Sequence, residues 1–310
     1  MFNFGVKFRG VRGSYPVSGK NFLEYGGASA CIEVNVSGHK IIIDAGTGII
    51  PLGRQIFEEN TASSLSAQER PLVNITILLS HIHQDHIQGL NFFKPMNMIN
   101  ANMHIFGFSG LDEPLKNTIS ELVYGKSFPV SLNDCCADYS IEDISESSVI
   151  VLTKDNPNPV LKRVSAAGGV QPGKNETVIS FMKSNSHPNF GVMCIKIACG
   201  KKSIVYASDI ECCAGGSKKL ELFAKDADLL IHDAQYTMED YLSIVSPKQE
   251  YGHSTFNAAV KTAEAANVKK LACFHFDPSY NDEKLSRIDL EMQKKNKNHF
   301  LAKEGMEILI

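Results

Sequence analysis

Short runs of aliphatic and β-branched residues recur along the chain, each closed by glycine, proline or a polar cluster. They cover residues 31–36, 40–46, 74–80, 103–108, 148–153, 192–199, 202–209, 227–234 and 270–276. Runs this short, with apolar residues on consecutive positions, predict buried strands. Helical spacing is rarer. It shows at 49–60 behind the second run, at 112–128, at 217–227, at 256–268 behind a Ser254-Thr255 cap, and near the C-terminus at 282–297. Strands dominate, with helices interspersed late in each half. This predicts an α/β fold with two sheets face to face and helices outside, a four-layer αββα sandwich. The stretch 109–186 fits the pattern least: one helical segment is followed by the loop-like KDNPNPVLKRVSAAGGVQPGKNET. It is expected to be an insertion or lid on a single domain spanning 1–310.

Composition narrows the class. The chain has 310 residues, 43% of them hydrophobic, enough to bury a large core without covalent staples. A net charge of -3 and a pI near 6.4 argue against a protein held to nucleic acid mainly by a basic surface. The first residues lack the long apolar core of a secretory signal, and no run approaches the ~18 apolar residues of a membrane span. The eight cysteines include two vicinal pairs, Cys135-Cys136 and Cys212-Cys213, and form no C-x-x-C. Reduced, packed thiols in the cytoplasm are expected, with no membrane partner.

The candidate chemistry begins where the run at 74–79 stops. LLSHIHQDHIQG sets His81, His83, Asp85 and His86 within six positions. On extended chain the alternate residues His81, His83 and Asp85 share a side, and His86 falls on another bearing. Imidazole and carboxylate suit borderline-hard divalent cations, and four such groups on two bearings suit two cations better than one. The strand acts as a rigid post with donors at its tip.

H-x-H-x-D-H resembles the central motif of the metallo-β-lactamase superfamily, and further segments resemble that family in order. They are IIIDAGTG with Asp44, SNSHPNFG with His187, YASDIE with Asp209 and FHFDPSY with His275. The resemblance implies two divalent ions, zinc first, with manganese or iron(II) as alternatives. His81, His83 and His187 would hold one, Asp85, His86 and His275 the other, and Asp209 would bridge. Asp44 would orient the site. YGGASACIEV, LLIHDAQYT and YGHSTFNAAV resemble the ribonuclease Z-like phosphodiesterase branch, in which His253 would assist the leaving oxygen. His232 and Asp233 are expected beside the ligands, hydrogen-bonded to an imidazole or to His253. Cys212 and Cys213 are read as packing residues, and His39, His104 and His299 as bystanders.

Two departures from that branch matter. Ala28 stands where its usual asparagine would be. Only 21 residues separate His187 from Asp209, too few for the arm that ribonuclease Z enzymes use on transfer RNA. The expected activity is therefore hydrolysis of a small phosphodiester, a cyclic nucleotide or cyclic phosphate, by hydroxide held between the metals, with Asp85 and His253 as catalytic groups. No stable nucleic-acid complex is expected, and a homodimer is allowed. Arg9, Arg12 and Lys20 are candidate cations for the anionic substrate. Alternatives are a nuclease on RNA or single-stranded nucleic acid, a carboxylic-ester, thioester or lactone hydrolase, a di-iron redox protein (disfavoured by His83) and a non-catalytic metal-bound sensor.

Overall fold

A computed structural model describes residues 4–62, 64–66, 68–110, 113–164, 170–212 and 216–310. Its strands are β1 (Phe4–Gly10), β2 (Cys31–Val36), β3 (His39–Ile43), β4 (Val73–Leu79), β5 (Ala101–Gly107), β6 (Asp138–Asp143), β7 (Ser148–Thr153), β8 (Asn156–Arg163), β9 (Glu176–Ser184), β10 (Val192–Cys199), β11 (Lys202–Ala207), β12 (Leu229–Asp233), β13 (Leu271–Phe274), β14 (His299–Leu301) and β15 (Glu307–Leu309). The helices are α1 (Ile49–Thr61), α2 (Gln84–Ile87), α3 (Leu115–Leu122), α4 (Lys218–Phe223), α5 (Met238–Tyr241), α6 (Phe256–Ala265) and α7 (Asp282–Lys295). One sheet runs β15-β1-β2-β3-β4-β5-β6 and the other β14-β13-β12-β11-β10-β9-β7-β8.

Side-chain alternation fixes the layers. On β3, Ile41 and Ile43 join the core between the sheets, and Ile42 joins a second core under α1 and α3. The far side of the second sheet is covered by α6 and α7, through Ala259, Ala263, Leu285 and Met292. Central strands buried on both faces read as unbroken apolar runs, which is why the sequence exposed them so clearly. The result is the expected αββα sandwich.

Two features position the site. The strands β3 to β6 are mutually parallel, as are β11 to β14. The loops after β3, β4, β11, β12 and β13 therefore leave at the C-terminal ends of parallel strands. β9 is antiparallel to β10, which is antiparallel to β11, so the loop after β9 leaves at the same end.

The described residues of 109–186 include four strands. They add β6 to the first sheet and β7, β8 and β9 to the second, around the helix α3. The loop reading failed at NPNPVLKR because β8 is an edge strand. Pro157 and Pro159 share one parity, and an edge strand leaves half its amides unpaired, so two missing N–H groups are tolerated there.

Candidate dinuclear metal centre

Each donor sits just past a strand end. Ser80 and His81 follow β4, and His83 is the N-cap of α2, whose first turns carry Asp85 and His86. His187 follows β9, Asp209 follows β11 and His275 follows β13. Asp44, Asp209 and His275 all adopt left-handed backbone, with φ of 59°, 53° and 65°. This conformation costs about 1–2 kcal/mol for a non-glycine residue, and here three residues that turn their side chains toward one point adopt it.

Missing side chains make room for the rings. A Cβ at Gly13 would lie 2.4 Å from His275 Nδ1, and one at Gly252, whose φ is +84°, would lie 2.2 Å from His187 Nδ1.

The hydrogen-bond network sets the tautomer of four histidines. Asp44 accepts from the Ser80 amide at 2.8 Å, the Ser80 hydroxyl at 2.9 Å and the Tyr206 hydroxyl at 2.6 Å, and takes His86 Nδ1–H at 2.7 Å. With its proton given to Asp44, Ser80 Oγ accepts from His81 Nδ1–H at 3.0 Å. His187 Nδ1–H donates to the Gly252 carbonyl at 3.1 Å, and His275 Nδ1–H to Gln235 Oε1 at 3.0 Å. In all four rings the proton is on Nδ1 and the lone pair on Nε2.

Those lone pairs converge. His86 Nε2 lies 3.2 Å from His275 Nε2, and His187 Nε2 lies 2.9 Å from His83 Nδ1. Lone pairs at such distances repel unless a proton or a cation sits among them. His81 Nε2 is buried without a hydrogen-bond partner. Donor atoms of His81, His83, His187 and Asp209 lie within 4.8 Å of one another, as do those of Asp85, His86, Asp209 and His275. Asp209 belongs to both groups. Buried carboxylates beside orphaned imidazole nitrogens are the donor set of a pair of divalent cations, and the residues fit them.

The electrostatics agree. Burial drives the proton affinity of His81 and His83 down and takes His187 down to about 4, which keeps these rings neutral donors. Burial would raise Asp85 and Asp209, but the surrounding histidines, His86 and His275 foremost, win and hold both well below the usual carboxylate range. At His86 burial is outweighed by Asp209, Asp85 and Asp44, which raise its affinity for positive charge. Asp85 is also fixed by the Ser14 amide, 2.7 Å from Oδ2.

His253 stands beside this cluster. Its Nδ1 lies 2.7 Å from Asp233 Oδ2 and 4.0 Å from Asp209 Oδ1. Burial opposes its charge, yet Asp233, then Asp209 and Asp85, lift its pKa to about 9. Asp233 further accepts from the Asp209, Gln235 and Ser254 amides, tying the ends of β11 and β12 to the His253 loop. That loop is clamped by Glu211, which accepts from the amides of Glu250 and Gly252 at 2.9 Å each and from the Tyr241 hydroxyl.

The site residues named from sequence are thus brought together, with one exception. His232, expected beside a ligand imidazole or His253, is next to Asp233 and so lies on the other side of β12. Its Nε2 is 3.7 Å from Cys212 Sγ and its Nδ1 meets the Asp233 carbonyl. Two of the proposed substrate cations are also committed elsewhere. Arg12 is fully buried, donating to the carbonyls of Gly26 and Tyr280 at 2.7 Å, and Arg9 pairs with Glu33 at 2.5 Å. Lys20 is exposed on a turn at 20–22. His39, His104 and His299 bind Thr153 O, Ser140 Oγ and Asn296 Nδ2 in turn. Cys213 lies outside the described residues. Sequence reasoning missed Ser80, Tyr206, Gln235 and Glu211, because nothing in their spacing reveals which groups brace a ring, a carboxylate or a loop from behind.

Residues 39–276, more than half of the chain, match the family model described as the beta-lactamase superfamily domain. The chain belongs to that superfamily. It is 27% identical over 312 aligned positions to a ribonuclease Z of Thermococcus gammatolerans, covering 91% of this chain and 92% of the relative. Among solved structures, it superposes on the short form of human tRNase Z with a TM-score of 0.60 and 18% identity, covering 99% of each chain. A diphosphatase of the PhnP family gives 0.63 and 13%, covering 99% of this chain and 98% of that one. These two establish the shared fold.

Proposed function

We propose that this metal-dependent hydrolase cleaves a small phosphodiester, a cyclic nucleotide or cyclic phosphate, in a site holding two zinc ions. His81, His83 and His187 would hold one ion and Asp85, His86 and His275 the other, with Asp209 available to both donor groups. When bound, the ions lower the pKa of a water to near neutrality and offset charge on the phosphoryl oxygens. The chain's own groups do the rest. Asp85, kept ionised, accepts a hydrogen bond from the attacking water and orients it, the proton that the water loses near neutral pH passing to solvent. His253, kept protonated by Asp233, donates to the departing oxygen as the phosphorus–oxygen ester bond breaks. Asp44, Ser80, Gln235 and the Gly252 carbonyl hold the imidazoles in one tautomer.

The observation that carries this reading is the His253–Asp233 pair set against the shared Asp209. In a carboxylic ester or lactone attack builds charge first on the carbonyl oxygen, so an acid positioned at the departing oxygen contributes less there than at phosphorus. The likeness to ribonuclease Z favours RNA as a second substrate class. The short β10–β11 hairpin (Val192–Ala207) between His187 and Asp209, with no transfer RNA-binding arm, favours the small one. The described cysteines are all unbridged thiols, which supports a reducing, cytoplasmic setting. No helix among the described residues is long and apolar enough to cross a membrane. A homodimer is compatible with this reading.

The test is a comparison of substrates with the metal-loaded protein. Bis-p-nitrophenyl phosphate and 2′,3′-cyclic nucleotides should turn over, and p-nitrophenyl acetate should not. Faster ester than phosphodiester cleavage would overturn the reading. Rapid cleavage of a short RNA beside inert cyclic nucleotides would move it to a nuclease.

A further inference from the structure

A cavity of about 270 Å³ lies between α5, the start of α6 and Cys212. Met238, Leu242, Cys212 and Ala258 give it apolar walls, Lys261 supplies a cation, and His253 forms part of the boundary. No carboxylate is among the described residues that line it, and none of the seven donors is. His253 is the residue shared by the cavity and the cluster.

That position has a chemical meaning. If His253 gives its proton to the departing oxygen, that oxygen lies about 3 Å from the ring. In a 2′,3′-cyclic phosphate the ring ties the departing oxygen's carbon back to phosphorus, and the base attached farther along the sugar extends outward, away from the phosphoryl end that the donors face. This cavity borders His253 and is lined by none of the seven donors, so it is open to the alcohol end of a substrate rather than to its phosphoryl end. Its volume falls just short of the ~300–1,000 Å³ of pockets that enclose a drug-sized molecule. It has room for one ring system and not for a stretch of polynucleotide. Apolar walls with a single lysine suit a flat aromatic ring, to which the ammonium group can offer a cation–π contact.

We propose that the cavity bounded by His253, Met238, Leu242, Ala258 and Lys261 is the subsite for an aromatic ring carried by the leaving alcohol. This rests on the reading of His253 as the acid for the leaving oxygen, and it makes the substrate a phosphodiester whose departing alcohol bears a nucleobase or an aryl group.

Two readouts test it. The first is calorimetric titration of the metal-loaded protein with adenosine and with p-nitrophenol, neither of which carries a phosphate. The second is the KM for adenosine 2′,3′-cyclic phosphate against that for a base-free methyl riboside 2′,3′-cyclic phosphate. Ala258→Phe fills the cavity. Leu242→Ala trims a side chain that is 55% exposed, so it leaves the core intact even if the first variant folds poorly.

In the native protein the base-free substrate should have a KM at least tenfold higher. Ala258→Phe should weaken binding of the preferred ring at least tenfold and bring the two KM values together, and Leu242→Ala should weaken it about threefold. Whichever ring binds more tightly identifies its source. Binding of neither ring, binding unchanged in both variants, or equal KM values in the native protein would overturn the subsite while leaving the phosphodiesterase standing. Ring binding that is lost in Ala258→Phe without turnover of either phosphate would do the reverse.

Discussion

The two parallel halves of the molecule build their strand tips in opposite ways. In the first, one strand and the turn behind it deliver His81, His83, Asp85 and His86 together, with Asp44 from the neighbouring strand to brace them. In the second, β9, β11, β12 and β13 deliver His187, Asp209, Asp233 and His275 one at a time, from a span of almost ninety residues. The first half is a local motif, so its geometry needs only β4 and its neighbour β3 in register. The second exists only when four strands and their loops are all in place. The centre therefore depends on the less local half, and Asp209, which both donor groups share, is where the two meet.

Removing that shared carboxylate should have the largest effect. Asp209→Ala is expected to lower hydrolysis by at least about 10³-fold and to reduce bound metal, read by elemental analysis beside the rate. His83→Ala touches one donor group alone and should leave about one ion per chain. Equal metal loss in both variants would break the comparison.

His253→Ala should come next, lowering kcat by about 10²- to 10⁴-fold with metal content unchanged. Its pH profile sharpens the point. Asp233 raises the His253 pKa to about 9, so the protonated ring is present below that value and its contribution is lost as pH rises through it. Cations bound nearby lower this limit. The native enzyme should show an alkaline limb that His253→Ala lacks.

Asp44→Asn acts through His86 and Ser80 and should weaken metal affinity or activity by about 10- to 100-fold. The smallest effect lies away from the tips. Glu33, between Arg9 and Lys40, is held near 2: burial would raise it, but the two cations prevail. A depressed carboxylate stabilises the fold above its ordinary value near 4.5, and that contribution fades as pH falls from there toward 2. Urea titrations at pH 7 and pH 3 should show a smaller loss of stability for Glu33→Gln than for the native chain, with unchanged turnover at neutral pH.

The same contrast explains what was legible in the sequence. Apolar runs revealed the central strands because burial on both faces leaves an unbroken pattern, and four donors in six positions stand out against any background. His187, Asp209 and His275 are single residues at strand ends, and only their resemblance to an ordered family pattern marked them. Asp233 and His232 were grouped because they are adjacent, although adjacent residues on a strand face opposite ways. Arg9 and Arg12 read as free loop cations because sequence does not show which carboxylates or carbonyls a folded chain brings to them. β8 was hidden by prolines that its edge position allows.

Gly13 and Gly252 bring no side chain to the centre, yet the space each leaves is occupied by one of its imidazoles. In a library of all single substitutions scored for activity, these two positions should tolerate change as poorly as the donors themselves. Even alanine would push a ring off its bearing, so a map of intolerance would trace the outline of the centre through residues that never touch a substrate.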